Sequence, residues 1–234
     1  MVKLVFIVVG VSREENVGAV ARAIKTMGIQ ALYLVDPQCN HLGSKALFTA
    51  HGSQDILEKA RIYNQFKESV SGLDLVVGTT AKKRSVHEDY HWVEDLPEII
   101  TGKGESLNTA GIVFGCEESG LTNHDLSMCH LVSKIPMYRN YPSLNLGQAA
   151  MVYATYLSKI TLNYKSKAEK EVSGVELPVV RKKAKQILID VGIDPNGIIY
   201  PRIMERLMMM NKDDINLFHS FSKYYLQKYH RRIR

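Results

Sequence analysis

Four short segments, three of them marked by glycine at a strand or helix end, hold the residues best suited to gripping a charged ligand. The first is Asn16-Val-Gly18-Ala-Val-Ala-Arg22. Asn16 can cap a helix, and Gly18 allows close backbone approach near its first turn. Arg22 follows four residues later on the same helix face, among the small Ala19, Ala21 and Ala23. A surface arginine on an amphipathic helix would look the same. The second is Gly115-Cys-Glu117-Glu-Ser-Gly120-Leu. A strand ends at Gly115, and Glu117 can hold an amine, a hydroxyl or an arginine, or merely cap a turn. The third runs from Ile135 through Tyr141-Pro142-Ser143-Leu144-Asn145 into an apolar helix. Ser143 and Asn145 stand where free N–H groups and a partial positive charge collect, so they cap the helix or grip a ligand. The fourth, Val76-Val-Gly78-Thr79-Thr80-Ala81, closes another strand. Lys82, Lys83 and Arg84 follow as a basic patch suited to phosphate, or as a solvated loop.

These segments need a scaffold, and the hydrophobic pattern supplies one. Leu4–Val9, Ala31–Val35, Leu73–Val77, Ile112–Phe114 and Leu131–Ile135 read as short buried strands. Helical stretches lie between them, at about 16–27, 53–60, 63–71, 92–101 and 122–129. Another follows Ser143 and runs to about Asn163. Fully apolar strands alternating with helices predict an α/β fold with a parallel sheet covered on both faces. Ligands in such sheets bind at the carboxyl ends of strands, where the four segments fall. The expected organisation is a domain over 1–163, a Lys/Glu/Ser/Gly-rich linker over 164–178, and a helical extension over 179–234. The extension predicts helices at about 178–191, 199–211 and 213–229, with Met208-Met-Met210 as bundle core.

Charge sharpens the division. Residues 161–234 hold 15 Lys/Arg against 8 Asp/Glu, whereas residues 1–160 hold 15 against 16. A basic appendage on a near-neutral core suits a polyanion, or is a solubilising tail. Arg181, Lys182, Lys183 and Lys185 head its first helix, and Arg231, Arg232 and Arg234 end the chain. No apolar run reaches the ~18–20 residues of a membrane helix. The three cysteines form no C-x-x-C pair, and no histidine set has metal-ligand spacing, so no metal and a cytoplasmic location are expected. No G-x-G-x-x-G follows the first strand, and neither a P-loop nor a G-x-S-x-G elbow occurs.

In order and spacing, Asn16–Gly28, Gly115–Leu121 and Ser143–Asn145 resemble the motifs of the SpoU or TrmH-like branch of the SPOUT RNA methyltransferases. Val17–Gly28, Asp74–Ala81 and Tyr141–Leu146 look like the TrmJ group within it. The resemblance implies a trefoil knot in the α/β fold, a homodimer, and 2′-O-methylation of a ribose in the tRNA anticodon loop, at its first nucleotide. It implies S-adenosylmethionine among Thr79, Thr80, Ala81, Gly115, Ile135, Pro142, Ser143 and Leu144. Arg22 would face the RNA, and Asn16, Glu117, Ser143 and Asn145 would complete the catalytic pocket. Lys82, Lys83, Arg84 and the cluster Arg181, Lys182, Lys183 and Lys185 would touch RNA. Pro142 stands where some relatives have Ser, and offers only a carbonyl. An rRNA enzyme of the same class, a non-catalytic RNA-binding protein and a nucleotide-binding protein are the alternatives.

Overall fold

Strand pairing follows the apolar runs. A computed structural model of the chain describes residues 2–82, 89–139, 141, 143–162 and 177–231. Among these, β1 (Lys3–Val9), β2 (Ala31–Val35), β3 (Arg61–Tyr63), β4 (Leu75–Thr79), β5 (His91–Trp92), β6 (Thr109–Phe114) and β7 (Leu131–Lys134) build one sheet. Its order is β3-β2-β1-β6-β4-β7-β5, and every neighbouring pair is parallel. β3 and β5 are additions to the expected strands. With three and two residues, they are too short to show a period.

Helices cover both faces. They are α1 (Glu14–Thr26), α2 (Ser44–Ala50), α3 (Gln54–Glu58), α4 (Phe66–Val70), α5 (Leu96–Thr101), α6 (Asn123–Ser127) and α7 (Leu146–Thr161). Strand alternation sends Val5, Ile7, Tyr33, Val35, Val76, Val113 and Val132 to one face, where they cluster with Phe66, Leu126 and Cys129. On the other, Phe6 packs on Phe114 (5.0 Å), and Phe114 meets Tyr153 of α7 edge-on (5.4 Å). The Tyr153 hydroxyl bonds Ser133 Oγ at 3.1 Å, satisfying a buried polar pair between α7 and β7. α1 begins at Glu14 with Arg13 as its cap, so Asn16 lies inside the first turn and is not the cap.

The described residues form two compact units. One contains the sheet with α1–α4, α6 and α7; the other combines Glu98–Asn108 with α8 (Leu177–Asp190), α9 (Ile199–Met209) and α10 (Lys212–Arg231). α8, α9 and α10 fall where the sequence places helices. Of the expected linker 164–178, only Leu177 and Pro178 are described, and they open α8. Nothing in the sequence Thr-Gly-Lys-Gly-Glu signals that 98–108 joins the helical unit. There Lys103 is fully buried and donates to the Met210 carbonyl at 3.3 Å, while Lys212 N–H donates to the Gly102 carbonyl at 2.7 Å. Burial lowers the Lys103 pKa to about 8.

Candidate cofactor and RNA site

Glu117 joins the first two glycine-marked segments across 101 positions of sequence. Its Oε1 accepts from Asn16 Nδ2 at 2.8 Å, and its Oε2 accepts from Ser12 N–H and Oγ, each at 3.2 Å. Burial pushes the Glu117 carboxyl up, but the Asn16, Ser12 and local backbone donors outweigh it and hold the group below the usual carboxylate range. The turn that presents Glu117 is tight. Gly120 donates to the Cys116 carbonyl (3.0 Å) and takes φ +71°, a left-handed conformation that glycine adopts without strain. A Cβ on Gly115 would run into the backbone of Gly120 and Leu121, so only glycine closes this loop. The Cys116 thiol lies 3.1 Å from Ser119 Oγ, and that hydrogen bond lowers its pKa.

Three strand-end loops converge on one open cavity of about 180 Å³. Thr79–Lys82 supply one wall, Phe114–Leu121 a second, and Ile135, Met137, Ser143, Leu144, Leu146 and Ala149 a third. Phe114, Leu121, Ile135 and Leu144 offer an apolar bed for a flat ring. Thr79, Thr80 and Ser143 offer hydroxyls for a sugar. Glu117 and Glu118 against Lys82 leave the lining with one net negative charge, which favours a ligand bearing a cation. That chemistry fits an adenosyl sulfonium.

Of the expected cofactor residues, Thr79, Thr80, Ala81, Gly115, Ile135, Ser143 and Leu144 line the cavity; Pro142 lies outside the described residues. Of the expected catalytic set, Glu117 and Ser143 line it, and Asn16 reaches it through Glu117. Asn145 instead caps α7: its Oδ1 accepts from Gln148 N–H at 2.7 Å while Gln148 Oε1 accepts from Asn145 N–H at 3.1 Å. Arg22 is exposed on α1 and is not among the cavity-lining residues. Six residues separate it from Asn16, about 9 Å along the helix. The face it shares with Gly18 is taken at Gly18 by α2, since a Cβ there would strike Thr49, Ala46 and Ala50. Gly18 thus serves helix packing rather than ligand approach. Lys82 lines the cavity; Lys83 and Arg84 lie outside the described residues. On α8, Lys182 and Lys185 are exposed, Arg181 and Lys183 half-buried, and Lys183 Nζ lies 3.4 Å from both ring nitrogens of His219. Arg231 ends α10, while Arg232 and Arg234 lie outside the described residues. Sequence reasoning missed Ser12, Glu118, Ser119 and Met137. Ser119 sits inside the Gly115–Gly120 motif that could have marked it, whereas Ser12 carries no signal of its own.

Residues 3–155 match the model of the SpoU rRNA Methylase family, and the chain belongs to that family. It is 33% identical over 217 residues to "Uncharacterized tRNA/rRNA methyltransferase LasT" of Escherichia coli K12, covering 93% of this chain and 94% of that protein. It is 34% identical over 173 residues to the tRNA (cytidine/uridine-2′-O-)-methyltransferase TrmJ of Photorhabdus laumondii, covering 74% and 71%. A probable methylase family protein from Haemophilus influenzae superposes with TM-score 0.69 at 26% identity over 97% of each chain. AviRb of Streptomyces viridochromogenes, solved in complex with AdoMet, shares the fold at TM-score 0.54 and 19% identity, over 68% of this chain and 58% of that one. No described helix is long and apolar enough to cross a membrane.

Proposed function

We propose that this chain is an S-adenosylmethionine-dependent 2′-O-methyltransferase acting on a ribose of the tRNA anticodon loop, at its first nucleotide, cytidine or uridine. One observation carries the reading: loops far apart in sequence meet in one cavity, and Glu117 ties α1 into it. The TrmJ relative is named a tRNA (cytidine/uridine-2′-O-)-methyltransferase, and the AdoMet of AviRb supports the same methyl donor on the same fold. Bound S-adenosylmethionine supplies an electrophilic methyl. The chain's own residues position and polarise. Phe114, Leu121 and Ile135 would bed the adenine, Thr79 and Thr80 would hold the ribose, and the carboxylates would favour the sulfonium. Asn145 fixes the start of α7 and so holds the Ser143 loop at the mouth. Arg22 is the RNA-facing cation. A guanidinium keeps its proton in proteins, so its role is to stabilise the developing 2′-alkoxide and grip a neighbouring phosphate. The proton leaves through water or the phosphate. The exposed Lys182 and Lys185 of α8 add electrostatic grip on RNA. A cytoplasmic homodimer with the trefoil threading belongs to the same reading.

The deciding experiment incubates the full chain with radiolabelled S-adenosylmethionine and bulk tRNA or rRNA, then maps the labelled nucleoside. Label at a 2′-O-methyl pyrimidine of the anticodon loop supports the proposal. Label confined to rRNA, the substrate in the family's own description, redirects it. Cofactor binding without transfer to any RNA overturns it. Arg22→Ala abolishes transfer while leaving cofactor affinity unchanged by calorimetry, and Arg22→Lys restores little. Lost cofactor affinity in Arg22→Ala refutes the assigned role.

A further inference from the structure

Beside the cavity, the sheet edge carries a wall of rings and cations that the cofactor reading leaves unused. Lys134 ends β7, and Trp92 is its register partner on β5. Lys134 Nζ lies 4.5 Å from the Trp92 ring centre and 5.4 Å from that of Tyr90. Trp92 nevertheless remains 40% exposed. Lys134 forms no ion pair with a carboxylate among the described residues. The chain passes directly from Lys134 into Ile135 and Met137, which line the cavity. It then presents Tyr138, 97% exposed, with the Arg139 guanidinium 5.8 Å above its ring.

Open rings beside unneutralised cations match one ligand chemistry closely. Unpaired nucleotides stack bases on aromatic faces and set phosphates against Lys and Arg. A duplex keeps its bases stacked on each other and cannot offer them. An acidic peptide would engage the cations and leave the rings idle. We propose that Trp92 and Lys134, extended by Tyr138 and Arg139, seat the unpaired nucleotides flanking the target ribose. The inference rests on the reading of the chain as an RNA methyltransferase and assigns that enzyme its base-stacking wall.

Trp92 is the chain's one tryptophan, so its fluorescence reports on this wall directly. The full-length chain is titrated with an unpaired oligoribonucleotide of about 8 nucleotides, within the span of one single-strand site, and with a duplex of equal length. The single strand quenches Trp92 saturably, and the duplex does so weakly. Trp92→Ala weakens single-strand binding by roughly 5- to 150-fold, the range of losing one stacked base, and raises the KM for RNA with cofactor affinity unchanged. Trp92→Phe keeps a ring and loses far less. Lys134→Ala makes the log affinity against log salt plot shallower by about 0.7, one single-strand phosphate contact. It serves as the deciding variant where Trp92→Ala does not fold. Methyl transfer to RNA by the wild type, with Trp92 emission and the KM of Trp92→Ala unmoved, overturns the wall and spares the enzyme. No transfer to any RNA sinks the enzyme reading instead. A Trp92 shift that follows protein concentration without RNA assigns the surface to a second copy and overturns the inference.

Discussion

Replacing Glu117 with Gln separates the role of this residue as an anchor from any role in chemistry. The carboxylate accepts one short bond from Asn16 (2.8 Å) and two longer ones from Ser12 (3.2 Å). A hydrogen bond to a charged group contributes about 1.5–3 kcal/mol. The Asn16 bond is partly buried and takes that value; the Ser12 pair is solvent-exposed and adds at most about 1 kcal/mol. An amide keeps one acceptor but turns its NH₂ toward either Asn16 or Ser12, both of which donate. One side is lost and not both, so the expected loss is about 1–3 kcal/mol, borne by the junction of α1 with the 115–121 loop. Urea unfolding of Glu117→Gln, Asn16→Ala and the double variant measures the coupling, expected at about 1–2 kcal/mol between contacting residues. Cofactor titration falls in parallel, because the loop that lines the cavity loses its tie. The pH dependence has a definite sign. The folded carboxyl titrates below its unfolded value of about 4.3, so its contribution is complete above that value. It is lost as pH falls through the lower folded pKa. Energies that simply add, to within about 0.3–0.5 kcal/mol, would refute the anchor.

Lys103 titrates near 8 when folded and near 10.4 unfolded. Below about 8 both states are charged, and above it the unfolded state binds more protons, so stability rises by up to about 3 kcal/mol between pH 8 and 10.4. Urea unfolding across that range shows the rise in the wild type and not in Lys103→Met. Asn145→Ala removes the α7 cap and costs about 0.5–2 kcal/mol, read as a lower melting temperature. Gly115→Ala drives a methyl into the Gly120–Leu121 backbone, lowering the melting temperature and abolishing cofactor binding; Gly72→Ala, with open space around it, is the neutral control.

The long elements were legible because each carries its own signature. α1 and α7 show a helical period, β1 from Leu4 and β6 from Ala110 are apolar without a break, and Thr122 and Asn145 stand as true caps with partners three residues on. What stayed hidden depends on distant partners. Asn16 reads as a cap because the same short amide serves caps and long-range bonds, and the decision was made by Glu117 from 101 positions away. Lys103 sits between two glycines in a stretch that reads as a loop, and only the Met210 carbonyl explains its burial. α2 and β5 are too short to carry a period at all.

The candidate site divides along the same line. Thr79, Gly115 and Ile135 were readable because parallel strands end at one edge of the sheet, so residues at each strand end must gather there. Strand-end position alone brings them together, whatever their side chains. Arg22 obeys no such rule. A helix face is set by what packs against it, and here α2 claims the Gly18 side while α7 approaches through Ala19, whose methyl lies 2.6 Å from where a Gly147 Cβ would stand. Two helices thus take the faces flanking Arg22 and leave its guanidinium in solvent, uncommitted among the described residues. An exposed cation that the fold leaves without a partner among the described residues suits an incoming phosphate. A carboxylate partner in the free protein would have to be broken on every encounter with RNA.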